Sequence, residues 1–125
     1  MRKILAAIAS IALALGGFVV ASPAAAVDYT KSEQAAWKAL KKNKLAKTGR
    51  KEVGKYRTIQ MMYRVCEMMD EGDDWDDVSN WWMGIAMTAQ NDKQARDFLG
   101  YGAGVSGSAL LYLCPWNLVG TPFAR

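Results

Sequence analysis

Residues 56–72 read YRTIQMMYRVCEMMDEG, and the spacing of their apolar side chains decides the fold class. These side chains recur at steps of three and four residues, which is the spacing of one face of an α-helix. The pattern predicts a helix from about residue 52 to residue 70, and Gly72 ends it. The apolar face contains Tyr56, Ile59, Met62, Tyr63, Cys66 and Met69.

A shorter helix is predicted before this stretch, over residues 32–44. Thr30 and Glu33 have the spacing of a capping box at its start. Its apolar stripe is thin, so we expect this helix to pack at the edge of the protein or to fray, and to end before Thr48 and Gly49. The stripe contains Ala35, Ala36, Ala39 and Leu40.

A third helix is predicted to begin soon after Gly72. Asp73 or Asp74 can cap it, and Asp76 and Asp77 in its first turn suit the positive end of the helix dipole. Five tryptophans are many for a chain of this length, and we expect most of them to fill the core, with two partly exposed. The inner stripe of this helix is Val78, Trp82, Ile85 and Ala89, and the two flanking residues expected to be partly exposed are Trp75 and Trp81.

The fourth predicted helix begins at Asn91 or Asp92 and ends at Pro115. No segment shows the two-residue alternation between turns that is typical of a β-hairpin. The sequence therefore predicts an all-α fold, a small bundle of three to four helices, followed by an irregular tail over residues 117–125. One face of the fourth helix contains Ala95, Phe98, Leu99, Gly102, Ser106, Ala109 and Leu113.

Glycines are concentrated in this last helix. Residues 102–107, GAGVSG, match the G-x-G-x-x-G motif of dinucleotide-binding proteins. That motif needs a preceding strand and an acidic residue about 20 positions later, and the sequence offers neither. We predict instead that the glycines let another helix or an indole ring approach the backbone closely. They are Gly100, Gly102, Gly104 and Gly107.

The first 26 residues have the features of a secretory signal peptide. A basic head precedes an apolar run over residues 4–20, and three alanines at positions 24–26 form a small-residue cleavage signal. We expect cleavage near Ala26 and a mature protein that is secreted or held in the cell envelope. The apolar run is near the lower length limit for spanning a bilayer, so retention as an uncleaved anchor is the alternative.

Cys66 and Cys114 are the two cysteines of the chain. In a small exported domain, two cysteines favour a disulfide over a metal or redox site. Such a bond would staple the bundle, because it would tie the second helix to the end of the fourth across a loop of about 48 residues.

The sequence around the cysteines resembles a family of small secreted actinobacterial proteins, best known from mycobacteria and grouped as domain of unknown function 732. The resemblance covers about residues 56–115 and rests on Val65-Cys66, Gly72, Val78 and a helix of small residues that ends at Cys114-Pro115. It implies a short helical unit with the two cysteines paired. The glycine content of the last helix and the Trp81-Trp82 pair depart from the family pattern. The family has no assigned chemistry, so the resemblance implies no activity.

Charge divides the chain into two blocks. Residues 28–57 carry ten basic and three acidic side chains, a net charge of +7, whereas residues 58–125 carry four basic and nine acidic ones, a net charge of −5. We predict a basic helix or arm over residues 27–50 and a disulfide-stapled domain over residues 51–116. The basic block can bind an anionic partner or fold back on the acidic block.

Enzyme chemistry has few candidate residues. The sequence contains no histidine, which removes Ser-His, Cys-His and His-metal sites. The carboxylates of residues 70–77 lack the spacing of a calcium loop, and helix capping explains several of them. We predict a protein that is not an enzyme, with no metal, no other cofactor and no nucleic-acid partner. A small hydrolase that uses Asp73 or Asp76 is one alternative.

The favoured hypothesis is a binding or interaction module whose partner is an anionic component of the cell envelope or another envelope protein. The candidate ligand-binding residues are Lys38, Lys41, Lys42 and Lys44, with Trp75 and Trp81 supplying apolar contact. The alternative is a membrane-associated or membrane-active factor. It rests on residues 98–118, which carry no charge, and on the G-x-x-x-G pair of Gly100 and Gly104.

Overall fold

The computed structural model describes residues 28–124, and the predicted signal peptide lies outside the described residues. No strand occurs within residues 28–124, so the all-α prediction is confirmed, with five helices instead of three to four. The helices are α1 (Lys31–Lys41), α2 (Lys47–Val53), α3 (Lys55–Asp70), α4 (Trp75–Ala86) and α5 (Asp92–Tyr112), and 3₁₀ turns lie at Lys44–Ala46 and Pro115–Asn117.

Helix α2 is the element that sequence reasoning missed. The first helix ends before Thr48 and Gly49, as predicted, but a separate helix, α2, runs through both residues. Gly49 packs on Tyr101 of α5 so closely that a Cβ atom at position 49 would lie 2.5 Å from the Tyr101 Cγ atom. This tertiary contact outweighs the low helix propensity of glycine. Gly54, with a φ of 88°, separates α2 from α3, so α3 begins at Lys55 and not near residue 52.

Helix α1 begins with the predicted capping box. The Thr30 Oγ1 atom accepts a hydrogen bond from the Glu33 amide at 3.1 Å, and the Thr30 amide donates to Glu33 Oε1 at 2.8 Å. The expectation that α1 packs only at the edge is wrong, because Ala36 and Leu40 are completely buried in the same core as α3, α4 and α5. The predicted basic helix or arm therefore contributes to the core through these residues, and its predicted end at residue 50 falls inside α2.

The turn between α3 and α4 follows local signals in the sequence. Gly72, with a φ of 105°, ends α3, and the Asp73 amide reaches back to the Met68 carbonyl oxygen at 3.0 Å. These features form a Schellman motif, in which glycine supplies the left-handed residue. Asp74 then caps α4, because its side chain accepts from the Asp77 amide and the Asp77 side chain accepts from the Asp74 amide. Both predictions, the stop at Gly72 and an aspartate cap, are confirmed.

Helix α5 is the central element, and each of the other four helices contacts it. Within residues 101–110 only Ala103 is exposed, so this part of α5 is buried on nearly all sides and not along the one face that its pattern predicted. A helix in this position needs few charges and many small residues. Within the described residues no helix has both the length and the apolarity to cross a membrane.

The glycines of α5 act as predicted, by admitting large neighbours. A Cβ atom on Gly102 would lie 2.5 Å from the Trp82 ring, and one on Gly100 would lie 2.7 Å from the Leu45 carbonyl oxygen. A Cβ atom on Gly104 would lie 2.8 Å from Leu40 Cδ1, and one on Gly107 would lie 2.9 Å from the Phe123 ring.

The disulfide joins Cys66 of α3 to Cys114, the residue before the Pro115–Asn117 turn, with an S–S distance of 2.05 Å. Cys66 is 5 % exposed and Cys114 is fully buried. The predicted pairing is confirmed, and it ties α3 to the end of the central helix.

Candidate functional site

A groove of about 320 Å³ lies on the outer face of α1. Burial of Ala36 and Leu40 turns the residues at positions 34, 37, 38 and 41 outward, because residues three and four apart share one side of a helix. Lys55, at the start of α3, closes the groove from the other side. We call this the basic groove, and its lining residues are Gln34, Ala35, Trp37, Lys38, Lys41 and Lys55.

The charge of the basic groove is positive and locally uncompensated. Lys38 and Lys41 are exposed, and Lys55 is half-buried with its Nζ atom 4.3 Å from the centroid of the Tyr29 ring. Within residues 28–124 the ion pairs are Arg64 with Glu67 and Lys93 with Asp97, so none of the three groove lysines is neutralised there. A groove with several ammonium groups and no paired carboxylate attracts anions.

Trp37 connects the groove to a fourth cation, Arg50 of α2. The Arg50 guanidinium carbon lies 5.8 Å from the centroid of the Trp37 ring, within the range of a cation–π contact. The Arg50 Nε atom is buried and has no hydrogen-bond partner within the described residues. Trp37 itself is half-buried, so its indole is both a wall of the groove and a support for the guanidinium.

Glu33, the one acidic residue of α1, is already committed to structural contacts. Its Oε1 atom accepts from the Thr30 amide, and its Oε2 atom accepts from the Tyr63 hydroxyl group at 2.7 Å. Burial and this hydrogen bond to Glu33 together raise the pKa of Tyr63 to about 12. Burial, followed by the charge of Glu33 and the proximity of Tyr56, also raises the pKa of Tyr29. Glu33 therefore fastens α1 to α3, and it does not line the basic groove.

The structure divides the lysines that were predicted to bind a ligand. Lys38 and Lys41 line the groove, whereas Lys42 and Lys44 are exposed residues outside its lining.

The two predicted tryptophans lie elsewhere. Trp75 is half-buried and packs edge-to-face on Phe123, with the ring centroids 5.2 Å apart. The expectation of partial exposure is wrong for Trp81, which is 2 % exposed. It packs against Trp82 in the core, with the two ring centroids 4.7 Å apart, so it cannot contact a ligand at the surface.

Sequence reasoning missed Trp37 and Lys55 as groove residues. A signal for Trp37 was present, because it lies three residues after Gln34 and four before Lys41 on one helical stripe. Lys55 had no such signal, since only the packing of α3 beside α1 brings it to the groove.

The lining of the groove is basic, with one amide and one indole. Its six lining residues include no carboxylate, hydroxyl or thiol group, so it offers ammonium groups, one amide and an indole to a ligand. The acidic residues after α3 do not form a second charged centre of the kind that holds metals. Within residues 28–124, no three cysteine or acidic side chains converge at metal-binding distances.

Comparison of the chain with protein-family models, with curated proteins and with solved structures gives no match. The resemblance to the domain of unknown function 732 family stays a prediction from the residues around the cysteines.

Proposed function

We propose that this chain is a non-enzymatic binding module, secreted or held in the cell envelope, that captures an anionic polymer in the basic groove. The observation that carries the proposal is the convergence of Lys38, Lys41 and Lys55 beside Trp37, with no carboxylate among the residues that line the groove. Three ammonium groups on two helices give the groove a positive electrostatic potential, which favours an anion over a neutral ligand.

The shape of the groove favours a chain over a single small ion. From Gln34 to Lys41 the groove follows α1 over eight residues, which corresponds to about 10 Å along the helix axis. A polymer with repeated phosphate or carboxylate groups can contact Lys38, Lys41 and Lys55 at once. Since one exposed ion pair contributes at most about 1 kcal/mol, several simultaneous contacts are needed for useful affinity.

The predicted signal peptide supports an envelope location for this activity. Anionic polymers and anionic lipid headgroups are common outside the cytoplasm, and a polymer-binding domain exported with a disulfide can meet them there. We also propose that the protein comes from an actinobacterium, as the family resemblance implies.

Charge reversal in the groove tests the proposal. The variant K38E/K41E/K55E is expected to bind a long-chain polyphosphate at least about tenfold more weakly than the unaltered protein, because each substitution replaces an attraction by a repulsion. Binding is measured by isothermal titration calorimetry at about 50 mM and about 300 mM salt, where screening differs strongly. Circular dichroism checks folding, because K55E removes the contact of Lys55 with the Tyr29 ring and K38E and K41E place acids in the last turn of α1.

The matched control is K44E/K47E/K51E, which changes the net charge equally at exposed positions outside the groove. The proposal expects this control to bind at least about threefold better than the groove variant. Equal weakening of the two variants would mean that net charge alone governs binding and would contradict the groove as the site. Binding of the unaltered protein that ignores added salt would contradict an electrostatic ligand altogether.

A further inference from the structure

A second groove, of about 400 Å³, lies beside the disulfide, at the other end of α3 from the basic groove. Helix α3 has 16 residues, so its two ends are about 24 Å apart. We call this second site the disulfide groove. Its lining consists of the Cys66–Cys114 disulfide together with Tyr63, Glu67, Asp70, Glu71, Leu113 and Trp116.

Trp116 has an exposed indole ring that is held in place by a hydrogen bond from its N–H group. Its ring N–H donates to Asp70 Oδ1 at 2.8 Å, and the Asn117 side-chain amide donates to the same oxygen at 2.9 Å. These two hydrogen bonds lower the pKa of Asp70, and the bond from Asn117 has the larger effect. The carboxylate of Asp70 therefore stays ionised. Trp116 is nevertheless 67 % exposed. The ring is thus presented to solvent in a fixed orientation beside a negative charge.

The acidic residues of this groove are not placed to stabilise α3. Glu67, Asp70 and Glu71 lie at the C-terminal end of the helix, where the backbone dipole is negative and basic residues are favoured. No basic residue occurs in the last turn of α3. Arg64 pairs with Glu67. Asp70 accepts its hydrogen bonds from the neutral Trp116 and Asn117 side chains, so its negative charge remains in the groove.

Aromatic rings beside carboxylates are the combination that recognises an organic cation. The ring faces attract the positive charge through their quadrupole, and the carboxylates balance it. Tyr63 is 45 % exposed and Trp116 is 67 % exposed, so two aromatic side chains of this groove are accessible. The volume of about 400 Å³ is far larger than a metal ion needs. It suits a long side chain whose apolar stem can lie along Leu113.

We propose that the disulfide groove receives a lysine or arginine side chain from a basic segment of a partner protein. The complementarity of charge favours such a partner over an acidic or apolar one. The basic residues 28–57 of a second copy are the competing occupant, and the dependence on protein concentration in the test below distinguishes that occupant from a separate partner. This proposal does not depend on the basic groove, since the two sites share no lining residue.

A lysine hexapeptide is the probe for this site, and a glutamate hexapeptide is its control. Titration into the oxidised, ¹⁵N-labelled protein is expected to shift the indole N–H resonance of Trp116 and to leave that of Trp37 unchanged. Trp116→Ala is expected to weaken binding of the lysine peptide about tenfold, because it removes the more exposed ring. The double variant E67Q/E71Q is expected to weaken it by a similar factor through loss of charge.

The matched control for charge is E52Q/D92N, which removes two exposed carboxylates outside the groove. It is expected to leave the affinity within about twofold of the unaltered protein. Equal weakening in this control, or a lysine peptide that does not move the Trp116 resonance, would overturn the proposal. A Trp116 resonance that shifts with protein concentration alone would also overturn it, because the occupant would then be a second copy. None of these outcomes bears on polyphosphate binding by the basic groove.

Discussion

Replacement of both Cys66 and Cys114 by serine is expected to lower the free energy of unfolding by about 4 kcal/mol. The two residues are 48 positions apart, and a cross-link over such a loop restricts the unfolded chain strongly. Domains of this size are held together by only about 5–15 kcal/mol in total. Loss of the bond should therefore leave a protein that is marginally folded at best.

Urea denaturation, followed by circular dichroism, measures this change. The alanine pair C66A/C114A is the matched control, because burial of two serine hydroxyl groups adds a cost of its own. Both pairs should lose stability, with the serine pair at least as affected, and reduced unaltered protein should behave like them. A double variant whose denaturation midpoint equals that of the oxidised protein would show that the disulfide does not stabilise the fold.

Substitution of alanine for Gly102 is expected to destabilise the protein by about 1–3 kcal/mol, although alanine is the better helix former by about 1 kcal/mol. The new Cβ atom would lie 2.5 Å from Trp82 Cδ2. The Trp82 ring cannot easily retreat, because its N–H donates to Ser106 Oγ at 2.8 Å and the ring makes edge-type contacts with Trp81 and Tyr101. The overlap must be relieved by moving either α4 or α5.

The neighbouring position, Ala103, provides the control for this prediction. Ala103 is exposed on the same helix, so Ala103→Gly should cost only the difference in propensity, about 1 kcal/mol. Urea denaturation of both variants separates the cost of steric overlap from the effect of helix propensity. One variant replaces glycine by alanine and the other replaces alanine by glycine, so helix propensity alone cannot make both of them less stable. A Gly102→Ala protein that is more stable than the unaltered one would contradict the close packing of α4 on α5.

Local spacing predicted three helix ends, the start of α1, the end of α3 and the start of α4. The capping boxes at Thr30 and Asp74 and the stop at Gly72 involve residues within five positions of one another, so their chemistry can be inferred from the sequence alone. The same holds for Lys38 and Lys41 on one stripe of α1. The prediction that the glycines of α5 are contact points also succeeded. Glycine destabilises a helix, so four glycines in one helix indicate that neighbouring groups pack closely on it.

Contacts between distant segments were beyond sequence reasoning. Helix α2 packs on α5 through the contact of Gly49 with Tyr101, and no local pattern reveals that contact. Trp81 is buried although it lies beside the inner stripe, since α4 uses two adjacent indoles to fill the core. Lys55 reaches the basic groove only through the packing of α3 beside α1. The α3 side of the groove, formed by Lys55, therefore depends on tertiary structure. The α1 side could be predicted from the sequence.

The central claim is that an anionic chain binds along α1, and the indole N–H resonances of the tryptophans test it most directly. The measurement is a titration of the oxidised, ¹⁵N-labelled protein with long-chain polyphosphate at low salt. Binding in the basic groove predicts that the Trp37 resonance shifts in a saturable way, while those of Trp75 and Trp116 stay in place and salt reverses the change. Saturable binding that leaves the Trp37 resonance unmoved would contradict the assignment of the site, and no binding at low salt would contradict the proposed function itself.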